Sequence, residues 1–254
     1  MVRASALVVV LVLLGAAPAY AEDVSGVSGS APAPLAGRTI VIDPGHQLGN
    51  HNFLRKINRL VPAGGFRKPC NSTGTSTRAG VAEATVVWRI ARVLSRRLSA
   101  RGAEVVLTRD SNRQERWGPC VDERGRRGNG IAADLKLSLH GDGAASSGRG
   151  FHVIAPTKRP RWTADIARPS RRLARDVRAA LKVRGFRVAD YTAGGDGIDL
   201  RGDLGTLNLS DVPTVMVELG NLRNRRDARV LTSDAGRDRA ARGLVAAVRR
   251  FVEN

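Results

Sequence analysis

Short apolar, β-branched runs alternate along this chain with amphipathic stretches of helical period, and that alternation restricts it to an α/β sheet with helices on its faces. Runs at 39–43, 104–108, 134–140, 151–155 and 214–219 read as strands, with 186–189 as a shorter candidate, so about six strands are expected. Between 81 and 100, Val86, Val87, Ile90, Val93, Leu94 and Leu98 recur at helical spacing, while Arg89, Arg92, Arg96 and Arg97 occupy much of the other face. Further helices are expected over 121–131, 169–184 and 235–252. The polar segment 47–80 and the glycine-rich segment 190–203 read as loops, the first long enough to suggest a functional role.

Chemistry-bearing residues stand at the ends of these runs. His46 closes the first, His140 closes the run at 134–140, Glu218 lies within VMVELG, and Glu83 opens the helix at 81–100. Ligands in an open α/β sheet collect beyond the carboxyl ends of strands, so the four can converge. Two imidazoles and one carboxylate, His46, His140 and Glu83, form a common shell for one catalytic Zn2+ with a place left for water. The other carboxylate, Glu218, is then available to move protons. Taken singly, each has a duller reading: a capped surface histidine, or a glutamate complementing a helix dipole. A glutamate inside a buried strand pattern is harder to dismiss, because burying an unpaired carboxylate is costly. Imidazole ligands need an acceptor on their second nitrogen, and Asp43, Asp134 and Asp142 are the nearest carboxylates in sequence. His51, in the loop, and His152, inside a strand, receive no role.

Composition bounds the compartment and the partners. Arg3, the apolar stretch 6–17 and Ala19-Tyr20-Ala21 fit a signal peptide over 1–21, followed by a Ser/Gly/Ala/Pro-rich leader over 22–37 and one domain over 38–254. An uncleaved membrane anchor is the alternative for the first segment. Secretion to the periplasm or cell wall is therefore expected. In such a compartment two cysteines, Cys70 and Cys120, favour a disulfide over two free thiols. The formal net charge is +19. With aromatics at 4% and no recognition motif, nucleic acid is a poor partner, and anionic envelope polymers are a better one.

With these residues in view, the motifs resemble the zinc-dependent N-acetylmuramoyl-L-alanine amidases of the amidase-3 type. VIDPGH (41–46) resembles the family's first-ligand motif and SLHGD (138–142) its third, with Glu83 on the helix that supplies the second. VELGNLRN (217–224) is similar to the catalytic-glutamate motif; LTRD (107–110) and RGNGIAAD (127–134) also fit. The paired cysteines and SGRGFHV bring it near mycobacterial-type single-domain members. The resemblance implies a single-domain, twisted, mostly parallel sheet flanked by helices on both faces. It further implies one zinc on His46, Glu83 and His140, with Glu218 as general base and then general acid. The implied reaction cuts the amide between N-acetylmuramic acid and L-alanine in peptidoglycan. By the same likeness Arg201 is placed near the substrate, and Asp142 falls within the third-ligand motif as a further substrate-binding candidate. The chain departs from the family in a longer interval between His46 and Glu83 and in Asn221, where an aromatic is usual. A monomer is expected. Competing readings are a zinc peptidase acting within the peptide stem and a non-catalytic envelope-binding zinc protein.

Overall fold

The structure is a computed structural model that describes Met1, Val2 and residues 33–254. The expected signal peptide and most of the leader lie outside the described residues. The elements run β1 (Thr39–Pro44), a 3-10 turn (Leu48–Asn52), α1 (Leu54–Ile57), β2 (Leu60–Pro62), β3 (Arg67–Pro69), α2 (Glu83–Ser99), β4 (Glu104–Leu107) and α3 (Val121–Arg126). They continue with β5 (Leu135–Asp142), β6 (His152–Pro156), α4 (Ala167–Val183), β7 (Ile198–Arg201), α5 (Gly205–Asn208), β8 (Thr214–Asn221), α6 (Arg225–Thr232) and α7 (Asp234–Glu253).

Six strands form one sheet in the order β4-β1-β5-β8-β6-β7. Every pairing is parallel except β6 with β8. From β1 the chain crosses through α2 to β4 on one side, then returns to place β5 on the other. The crevice at a parallel sheet's carboxyl edge opens at such a switch point, and this one lies between β1 and β5.

Strand periodicity sorts the side chains to two layers. Leu135, Leu137 and Leu139 of β5, with Ile40, Ile42, Val215 and Val217, face the main core. That core is closed by α2, α4 and α7, whose Ile90, Leu94, Leu173, Val177, Leu244 and Val248 are fully buried. The alternate residues Lys136, Ser138 and His140 face a thinner layer built from α3, α5 and the hairpin β2–β3. There Ile154, Leu207 and Met216 form one small apolar cluster, and Val61, Cys70 and Cys120 form another.

Three expectations need correcting. The segment 47–80 is not a plain loop: it carries the 3-10 turn, α1 and an antiparallel hairpin. The sixth strand is β7, inside the segment read as loop, whereas 186–189 makes only an isolated bridge, Phe151 with Val188. The expected leader also ends too late, since Leu35 is fully buried in the main core and its N–H donates to the Arg101 carbonyl.

Cys70 and Cys120 are joined across a sequence separation of 50, with their Cα atoms 4.3 Å apart. The bridge fastens the hairpin layer to the start of α3. Loop-closure entropy for a ring of that size corresponds to about 4 kcal/mol. Cys70→Ser should therefore lower the melting temperature of the oxidised protein by several degrees, while adding reductant should shift wild type but not the variant. Identical melting curves in all conditions would show that the bridge contributes nothing.

Candidate metal centre

β1, β5 and β8 are neighbours, so their carboxyl ends bring His46, His140 and Glu218 to one edge of the sheet. His140 and Glu218 are in direct register across β5 and β8, on the same face. Glu83, the first residue of α2, reaches the edge from the other layer. His46 Nε2 and His140 Nδ1 stand 3.2 and 2.9 Å from a single atom, Oε1 of Glu83. One ligand atom from each of the three side chains falls within 4.8 Å of the others. Tetrahedral donors at zinc bond lengths sit about 3.3 Å apart, so this donor set fits a small divalent ion.

The rings are aimed by backbone. His46 adopts a left-handed conformation, φ 55°, which costs a non-glycine residue of order 1 kcal/mol or more. Its Nδ1–H donates to the Ser72 carbonyl at 3.1 Å; a carbonyl only accepts, so Nε2 is left as the lone-pair nitrogen. The acceptor is thus a backbone group of the 47–80 segment, and none of Asp43, Asp134 or Asp142 bonds to a ligand ring among the described residues. Close approach explains two glycines. A Cβ on Gly45 would lie 2.4 Å from Cε1 of His140, and one on Gly74 would lie 2.8 Å from Oε2 of Glu83.

Charges around the group are unequal. Burial alone would raise the Glu83 pKa, but the two adjacent imidazoles hold it well below the usual carboxylate range. Glu218 is pushed well above that range by burial and by the nearby carboxylates of Glu83 and Asp142. Its Oε2 is buried, and among the described residues no hydrogen-bond donor reaches it. Glu218 lies outside the three-residue donor set, and its raised pKa favours the protonated form more than an ordinary carboxylate would. His152, on β6, is in register with Glu218 from the other side and is 4% exposed. Asp142 accepts from the Gly143 N–H and draws close to Tyr191 and Glu218. Arg201 ends β7 at the opposite end of β6 from His152 and forms a two-pronged pair with Asp203, yet its charge still reaches Glu218.

Two arginines to which the sequence reading gave no role, although LTRD contains Arg109, organise the turn after β1. Arg124 places all five of its N–H groups: on Asp43 Oδ1 and the carbonyls of Pro44, His46, Gly118 and Pro119. Arg109 also places all five, on the carbonyls of Pro44, Gly45, Ala84 and Ser111 and on Asn112 Oδ1, with its guanidinium 4.9 Å from the Trp88 ring centre. Burial beside Arg124 brings the Arg109 pKa down to about 9. Asp43 is fully buried, which would raise its pKa, yet Arg124 and the hydroxyls of Ser138 and Thr108 hold it far below the ordinary carboxylate value. Beside the ligand rings lies a cavity of about 260 Å³, walled by Lys68, Asn71 and Ser72 on one side and by Leu204, Thr206 and Met216 on the other.

The profile of the amidase-3 family, described as N-acetylmuramoyl-L-alanine amidase, matches residues 40–250. The chain belongs to the amidase-3 family. Among its relatives in that family, the N-acetylmuramoyl-L-alanine amidase Rv3717 of Mycobacterium tuberculosis is 38% identical over 94% of this chain and 97% of that protein. The crystal structure of the N-acetylmuramyl-L-alanine amidase Ami1 from Mycobacterium smegmatis is similar with a TM-score of 0.80 and 34% identity, covering 86% of this chain and 98% of that one. Ami1 from Mycobacterium abscessus gives 0.79 and 34%, over 85% and 99%. Asn221, where the family usually has an aromatic, is fully buried and donates through Nδ2 to the carbonyls of Ala145 and Gly148. It anchors the turn after β5 by hydrogen bonds instead of by ring packing.

The Asp43–Arg124 pair yields a signed pH dependence. The folded-state pKa of Asp43 lies below its unfolded value, so its stabilisation is complete above about pH 4 and is lost as pH falls from there. Arg124→Met leaves a buried carboxylate unpaired and should cost about 3–5 kcal/mol in urea unfolding at neutral pH. The deficit should narrow as pH falls, starting above about pH 4, because a buried and unpaired carboxylate takes its proton above its ordinary pKa. A deficit that stays constant down to pH 3 would rule out the ion pair as its source.

Proposed function

We propose that the chain is a zinc-dependent hydrolase that cuts the amide between the lactyl group of N-acetylmuramic acid and L-alanine in peptidoglycan, releasing stem peptides. The observation that carries this reading is the convergence of His46, Glu83 and His140 around one point, with Glu218 in register beside them. Family membership supplies the substrate class, and the names of the mycobacterial relatives agree with it. Among the described residues no helix is long and apolar enough to cross a membrane; action outside the cell, on the wall, follows from the substrate.

His46, Glu83 and His140 would hold the ion. When bound, zinc supplies Lewis-acid chemistry, polarising the scissile carbonyl and making a water acidic enough to attack near neutral pH. Glu218, kept off the ligand set by its place on β8, accepts the proton of the attacking water. Its raised pKa then suits it to deliver that proton to the departing L-alanine amine. Asp142 and Arg201, whose charges both act on Glu218, are assigned as further substrate contacts.

Glu218→Gln should retain a full equivalent of zinc, measured by elemental analysis, yet lose at least about a hundredfold in turnover on a soluble muramyl peptide. His46→Ala and His140→Ala should lose metal and activity together. Near-wild-type turnover by the glutamine variant removes Glu218 from the proton path. Mass spectrometry of digested sacculi separates the reactions: free stem peptides support the amidase, whereas cut stems still attached to glycan point to a peptidase. Full activity after exhaustive chelation overturns the zinc assignment.

A further inference from the structure

The proposed reaction leaves much of the chain's charge unused, and part of it is gathered in a second concavity. This cleft, about 580 Å³, lies between the turn before α2 and α6, and shares no lining residue with the cavity beside His46 and His140. One wall is the turn 77–80 that leads into Glu83. The other is α6, and Val81 and Leu222 line the space between. Arg78, Arg223, Arg225 and Arg229 line it, and no carboxylate does. The acidic residue of α6, Asp227, turns inward, where it accepts from the N–H groups of Gly150 and Asn221.

Elsewhere on the surface, Arg38, Arg97, Arg201 and Arg250 each pair with an aspartate. Among the described residues the four cleft arginines pair with none, and all four are exposed. Like charges facing one another across a concave surface repel, and the fold supplies nothing here to offset that. An external anion does. Guanidinium is matched in shape to two-oxygen acceptors, phosphate above all, and holds them with paired hydrogen bonds. Four such groups along one cleft fit a ligand that repeats its charge at short intervals. A phosphodiester chain does so, with one fixed charge per unit at every pH near neutrality, whereas a peptide stem carries only scattered carboxylates.

We propose that this cleft is a docking site for a phosphodiester-type polyanion of the cell envelope, separate from the metal centre and used to hold the protein at the wall. It does not depend on the amidase reading, since binding is measured without turnover.

The probe is short-chain inorganic polyphosphate, with binding followed by fluorescence anisotropy across a salt series. The triple variant R78Q/R225Q/R229Q is compared with R89Q/R96Q/R168Q, which removes the same charge from exposed positions outside the cleft. The cleft variant should lose at least tenfold in affinity and flatten the slope of log K against log salt by about 2–3. The control should lose less than about threefold, and both should hydrolyse a soluble muramyl peptide at the wild-type rate. Equal losses in the two variants would show that diffuse charge, not this cleft, binds the probe. Poly-L-glutamate of matched length binding as tightly as polyphosphate would overturn the phosphodiester assignment. Loss of soluble-substrate hydrolysis in the cleft variant alone would make the cleft part of the substrate groove and end the proposal.

Discussion

Arg124 is the point on which the metal-facing layer depends. A buried guanidinium is tolerated only when its charge is paired and its N–H groups are satisfied, and this one meets both conditions at once. Because three of its acceptors are Asp43, the Pro44 carbonyl and the His46 carbonyl, satisfying Arg124 also sets the path of the turn that carries His46. Arg109 grips the same turn from the opposite flank through Pro44 and Gly45. The left-handed backbone of His46 is therefore held by two side chains that cannot release a carbonyl without orphaning a buried donor. Lys136 extends the lattice by donating to the Arg124 and Gly125 carbonyls, with burial bringing its pKa down to about 8.

The sheet divides the work between its faces. One side is a conventional apolar core under α2, α4 and α7. The other replaces that core with a lattice of buried polar groups running from Lys136 through Ser138 and Asp43 to His46 and His140. Period-2 alternation in β5 is enough to make both, because Leu135, Leu137 and Leu139 point one way and Lys136, Ser138 and His140 the other. A polar lattice is less forgiving of displacement than an apolar core, since each member has a directional partner.

Much of this was legible in the sequence, for identifiable reasons. The β-branched runs, the helical spacing of 81–100 and the position of His46, His140 and Glu218 at strand ends are local signals, and local signals survive folding. β7 was hidden because Gly194, Gly195, Gly197 and Gly202 surround it, and its pairing with β6 is a long-range contact that no local pattern encodes. The hairpin in 47–80 was hidden likewise, its strands being only three residues each. Arg124 and Arg109 were masked by abundance: in a chain this rich in arginine, nothing in composition separates a buried keystone from a solvated surface charge. The Asp in VIDPGH was the available clue, since a carboxylate inside a buried run implies a cation somewhere. The acceptor on His46 could not have been found, because it is a main-chain carbonyl and every residue has one.

The position of the disulfide has a bearing on how the centre is held. Ser72, two residues after Cys70, aims one nitrogen of His46, and Arg124, four residues after Cys120, grips the carbonyl of that same histidine. A single covalent link thus spans both handles on one ring. Two hydrogen bonds beside the bridge, from the Val121 N–H to the Cys70 carbonyl and from Asn71 to the Pro119 carbonyl, tie the same two segments together. Closing the bridge therefore joins the Ser72 carbonyl and the Arg124 guanidinium, the two groups that hold His46, into one covalently linked unit.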